Sequence, residues 1–130
     1  MSWQAYVDQS LVGTGNIDKA IICDATGKTI WAATPGFSIP TDERQTIVDS
    51  FKDSGSVKQV VAQGVHINGE KYVTLDSTDD SLKAKKGKEG IVAIKTTQAL
   101  LIGHHPAEIQ TTVAYSSVAE LAEYLIKVGY

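Results

Sequence analysis

Three histidines and one cysteine are the side chains in this 130-residue sequence that most readily hold metals or act as nucleophiles. His104 and His105 are adjacent, so on a strand they point to opposite faces and cannot easily share an ion. His66 is remote in sequence, and no Cys pair or carboxylate stands at ligand spacing. The histidines are therefore expected at the surface or against a partner. Cys23 lies in an apolar run with nothing beside it to favour the thiolate, so a buried, unreactive thiol is expected. A single cysteine also excludes an internal disulfide. The sequence holds no phosphate loop, no Gly-x-Gly-x-x-Gly after a strand and no Gly-x-Ser-x-Gly elbow. It reads as a binding protein, not an enzyme, with neither cofactor nor metal.

Two groups of residues fit that role. Asp76, Asp79 and Asp80 are followed by Lys83, Lys85, Lys86 and Lys88. Such a stretch is ordinarily a solvated loop; its functional reading is a basic surface for an acidic partner. The second group is aromatic. Trp3 and Tyr6 lie three apart, Trp31 falls on an early strand, and Tyr124 and Tyr130 lie in or beyond the last helix. Any one ring is most simply core. Rings brought together from both ends of the sequence, however, would make a groove suited to a polyproline II ligand. Such a ligand is already extended and offers carbonyls to a Trp N–H or Tyr O–H.

The elements that must position these residues follow from periodicity. Ser2 caps a helix carrying Trp3, Tyr6 and Val7, ended by Gly13 and Gly15. Lys19–Cys23 and Thr29–Ala33 read as strands around the turn Asp24-Ala-Thr-Gly27. Thr41 caps a helix with Ile47, Val48 and Phe51 on one face. Val65 and Ile67, then Tyr72, Val73 and Leu75, flank the hairpin signal Asn68-Gly69. Gly87 and Gly90 bracket another turn, and Ile91–Thr96 and Ala99–Gly103 pair around Thr97-Gln98. Ser117-Val-Ala-Glu120 reads as a capping box opening the last helix. About six strands with helices at the ends predict an α+β fold in one domain, 1–130, whose terminal helices dock on the sheet. Hydrophobic residues at 42%, a net charge of −3 and the absence of a signal-like N-terminus predict a cytosolic, monomeric protein that does not bind nucleic acid.

The sequence resembles the profilin family nearly end to end. Met1-Ser-Trp-Gln-Ala-Tyr-Val-Asp8 is similar to its N-terminal signature, and Val12-Gly-Thr-Gly15 continues it as in amoebal and fungal members. Trp31-Ala32, Lys71-Tyr-Val-Thr-Leu75, Lys85-Lys-Gly87, Lys95-Thr-Thr-Gln98 and Ala122-Glu-Tyr-Leu-Ile126 follow in family order. The resemblance implies a central antiparallel sheet, the N- and C-terminal helices together on one face, and further short helices on the other. It implies a proline-rich ligand on Trp3, Tyr6, Trp31, Tyr124 and Tyr130, with formins among the partners. It also implies an actin-monomer face drawing on Asp76, Lys83, Lys85, Lys86, Lys95 and Glu120, and a phosphoinositide site on Lys83, Lys85, Lys86 and Lys88, and with these a role in the cytoskeleton. The segment Leu75–Ala84 departs from the family's Arg-Ala-Asp-Asp-Arg-Ser-Ile-Tyr-Gly pattern, with Asp76 and Asp80 where basic residues are often found and Lys83 in place of Tyr. Actin binding is therefore expected to be weaker than typical. The alternative is a divergent member serving mainly as a proline-rich-ligand adaptor.

Overall fold

The computed structural model describes residues 2–56 and 58–130; Met1, which opens the N-terminal signature, and Val57 lie outside the described residues. Ser2 caps the first helix as expected, its Oγ accepting the Ala5 N–H at 3.1 Å. Helix α1 (Trp3–Ala5) runs on into a π-helical stretch, Tyr6–Leu11, and a 3-10 turn, Val12–Thr14. Strands β1 (Lys19–Asp24) and β2 (Ile30–Ala33) precede helices α2 (Thr41–Lys52) and α3 (Gln59–Gln63). Then come β3 (Val65–Ile67), β4 (Glu70–Ser77), β5 (Ser81–Lys86), β6 (Glu89–Lys95), β7 (Ala99–His105) and helix α4 (Thr111–Lys127). Among the described residues these strands form one seven-stranded sheet in the order β2-β1-β7-β6-β5-β4-β3, with antiparallel neighbours.

Period-two alternation sends side chains from each central strand into two separate cores. Ile22, Val92 and Leu101 pack with Val7 and Leu11 of the N-terminal segment and with Val118, Leu121 and Leu125 of α4. Ile21, Cys23, Ile91 and Ile102 face the other way, against Phe37, Ile47, Phe51 and Val60 around α2 and α3. The terminal helices thus share one face and α2 and α3 the other. Each large apolar side chain buried in these layers contributes about 1.5–3 kcal/mol, which holds helices too short to persist alone. The Asn68-Gly69 turn forms with positive φ at both residues, 56° and 80°. The Glu43 carboxylate accepts both of their N–H groups and ties the turn to α2.

Four sequence expectations change. The charged stretch after Asp80 is a strand, β5, because Leu82 and Ala84 point into a core while Lys83 and Lys85 alternate outward. Helix α4 begins at Thr111, so Ser117 is mid-helix, where its Oγ accepts from Asn16 Nδ2 at 3.0 Å instead of capping. Thr41 is the first residue of α2, which follows Pro40, and its hydroxyl accepts from Arg44. His104 and His105 do point to opposite faces, but helices and loops cover both, so both are buried rather than at the surface. His104 bridges Asp18 Oδ1 through Nδ1 at 2.6 Å and Glu89 Oε1 through Nε2 at 3.1 Å. His105 Nε2 lies 2.9 Å from Thr111 Oγ1. Only His66 of the three is exposed.

Candidate binding surfaces

The aromatic residues from the two ends of the sequence converge. Ser2 fixes the start of the N-terminal helix, which sets Trp3 and Tyr6 on its outer side, with ring centroids 5.6 Å apart. Trp3 lies 4.7 Å from Trp31 of β2 and 5.1 Å, edge to face, from Tyr130. Tyr6 continues the row to Tyr124 of α4 at 6.3 Å. These spacings are those of attractive aromatic pairs. Trp3, Tyr6 and Trp31 are half-buried, while Tyr124 and Tyr130 keep 49% and 41% of their surface exposed. The result is a solvent-facing strip of rings with one side packed on the core. Partial burial first, then pairing with the Tyr124 hydroxyl and the neighbouring Tyr124 and Tyr130 phenols, raises the Tyr6 phenol above its ordinary range, so it remains an O–H donor at neutral pH.

Tyr130 is held in place by backbone. Its N–H donates to Leu125 O at 2.7 Å, and its carbonyl accepts from Thr96 Oγ1 at 2.7 Å and from the Gln98 N–H. Gln98 Nε2 also donates to Gly129 O at 2.9 Å. Gly129 turns the chain with φ 99°, a conformation that other residues resist. The Thr96–Gln98 turn, read in the sequence only as a hairpin, is thus the anchor that brings the last ring to Trp3. Polar side chains distant in sequence gave no signal of that pairing.

The strip opens into a depression of about 410 Å³ between the N-terminal helix and α4, lined by Tyr6, Ser10, Glu120, Leu121 and Tyr124. The family resemblance puts Glu120 in the actin set; here it lines the depression beside Tyr124.

The remaining residues of that set do not share one face. Lys83 and Lys85 point to the side of the sheet that carries α4, and Lys83 Nζ sits 4.2 Å from the centre of the Tyr115 ring. Asp76 pairs with Lys83 across the strands, its Oδ2 3.9 Å from the ammonium. Val73, opposite Lys85, is 62% exposed, Leu75 54% and Val113 41%. Lys86 points to the opposite side and pairs with Glu70 at 3.0 Å. Lys95 also faces the α2 side, in a depression shared with Lys28, Gln45 and Lys52. The four lysines expected to hold a phosphoinositide are likewise split, with Lys83 and Lys86 already paired to carboxylates. Among the described residues no group of His, Cys, Asp and Glu is arranged to hold a metal, and no helix is long and apolar enough to cross a membrane.

A seven-stranded antiparallel sheet with its terminal helices on one face and a ring-lined groove at one end defines a class of small binding domain. The profilin family model matches residues 1–130. Profilin-A of Physarum polycephalum is 44% identical over 130 residues, covering all of both chains. The solved structure of Schizosaccharomyces pombe profilin superposes with a TM-score of 0.91 at 39% identity, covering 99% of this chain and 100% of that one. Acanthamoeba castellanii profilin IA gives 0.91 at 37% identity with the same coverage. The chain belongs to the profilin family.

Proposed function

We propose that the protein binds monomeric actin on one surface and proline-rich segments on another, and so regulates actin polymerisation. The strip of half-exposed rings running from Trp31 through Trp3 and Tyr6 to Tyr124, with Tyr130 beside it, carries the proline half of this reading. A polyproline II helix has three residues per turn and a bare, carbonyl-rich backbone, so it stacks pyrrolidines on rings and accepts hydrogen bonds from Trp N–H and Tyr O–H groups. Mouse profilin IIa, alike in fold at a TM-score of 0.78 and 18% identity, was solved in complex with a double repeat from the FH1 domain of mDia1. Partners of the proline-rich assembly-factor type, formins among them, suit this groove.

The actin half rests on family membership and on the surface made by Val73, Leu75, Lys83, Lys85 and Tyr115. Exposed apolar side chains beside two cations suit a partner that is acidic and partly apolar. A protein that served only as a proline-ligand adaptor would have no use for that patch. Asp76 draws on the charge of Lys83, which motivates an actin affinity below the family's usual level. The reading is tested by pyrene-actin sequestration run beside a poly-L-proline titration of tryptophan fluorescence. Micromolar actin binding with a saturable fluorescence change supports it; absence of either removes that half.

A further inference from the structure

The pocket at the end of the aromatic strip has a chemistry that proline does not need. Its walls are the Tyr6 and Tyr124 rings and its floor is the buried Leu121, but its rim carries the Ser10 hydroxyl and the Glu120 carboxylate. Glu120 is exposed and, among the described residues, forms no ion pair and no side-chain hydrogen bond. Ser10 and Tyr6 are one helical turn apart, as are Glu120 and Tyr124, so each wall offers a ring followed by a polar group. Lys127, the next basic residue of α4, does not line the pocket.

A pyrrolidine ring gains nothing from a carboxylate and would desolvate it. A guanidinium fits every wall at once: its flat face stacks on a tyrosine ring, its N–H fork meets the Glu120 carboxylate, and a remaining N–H reaches the Ser10 hydroxyl. Given the reading of the strip as a proline-rich groove, we infer that this pocket takes an arginine flanking the proline run, so that the favoured partners are proline-rich segments with an arginine at one end. The carboxylate sets the sign of this preference and the two rings favour arginine over lysine.

The test uses the full chain and synthetic decaproline peptides ending in Arg, Gln or Glu at either end, titrated by tryptophan fluorescence. The Arg peptide in one of the two polarities binds about fivefold tighter than its Gln counterpart, as an exposed ion pair with cation–π support provides, and the Glu peptide binds more weakly than either. In Glu120→Gln the Arg-to-Gln affinity ratio falls to about one, and raising salt from about 0.01 M to about 1 M shrinks it in the wild type. Equal affinities for the Arg and Gln peptides in both polarities, with proline binding intact, overturn the arginine pocket and leave the groove standing. Failure of every peptide to bind overturns the groove and the pocket together.

Discussion

At the scale of single residues, burial makes a prediction that needs no partner. Burial, opposed by Arg44 and aided by Asp24, pushes the Cys23 thiol up to about 12. Burial, with Glu70, Glu89 and Asp18 adding to it, does the same to the Tyr72 phenol. In the unfolded chain these groups ionise near 8.5 and 10 or so. Between those values and about 12 the native state holds more protons than the unfolded state, so stability falls as pH rises through that window. Each group contributes a slope of at most about 1.4 kcal/mol per pH unit. Urea midpoints measured at about pH 8 and about pH 11 should show the fall, and Cys23→Ala should make it shallower; an unchanged midpoint would count against a buried thiol. On the proposed actin surface, Asp76→Arg removes the carboxylate beside Lys83 and adds a cation. Actin should bind about fivefold tighter in pyrene assays, with poly-L-proline affinity unaltered.

At the scale of elements, the anchor of Tyr130 is the feature most exposed to test. Thr96→Val deletes the hydroxyl that meets both Tyr130 O and the Ala99 N–H. It should lower stability by about 1 kcal/mol and weaken proline binding several-fold, because the last ring is no longer held against Trp3. Calorimetry and fluorescence titration check the two halves separately. The same elements show how far a sequence can be read. The Asn68-Gly69 hairpin, the apolar stripe of α2 and the alternating strands were legible because local periodicity and turn chemistry set them. Strand β5 was not, because Lys83, Lys85 and Lys86 hide the two inward positions, Leu82 and Ala84, that make it a strand. The true start of α4 was missed because Gln110 gives no side-chain cap while Ser117 imitates one. Of the candidate site, the aromatic members could be named from the sequence through family likeness. The division of the lysines between two faces follows from strand register, which composition does not reveal.

At the scale of the whole molecule, the two proposed surfaces lie at different ends of α4. Tyr115 belongs to its first turns, Tyr124 to its last, and nine residues at 1.5 Å each separate the two by about 14 Å along the axis. A proline-rich segment and a large globular partner therefore have separate ground to occupy. Lys83→Glu with Lys85→Glu should weaken actin binding at least tenfold while leaving poly-L-proline affinity within about twofold, since exposed charges so far from the rings are largely screened. Retention of Trp3→Ala on a poly-L-proline column tests the aromatic groove most directly. Trp3 touches Tyr6, Trp31 and Tyr130 at once, so its removal breaks the strip at its middle while most of the core stays in place. Near-complete loss of retention is expected, with an unchanged far-ultraviolet circular dichroism spectrum and an actin affinity within about twofold of wild type. Retention equal to wild type would contradict the groove.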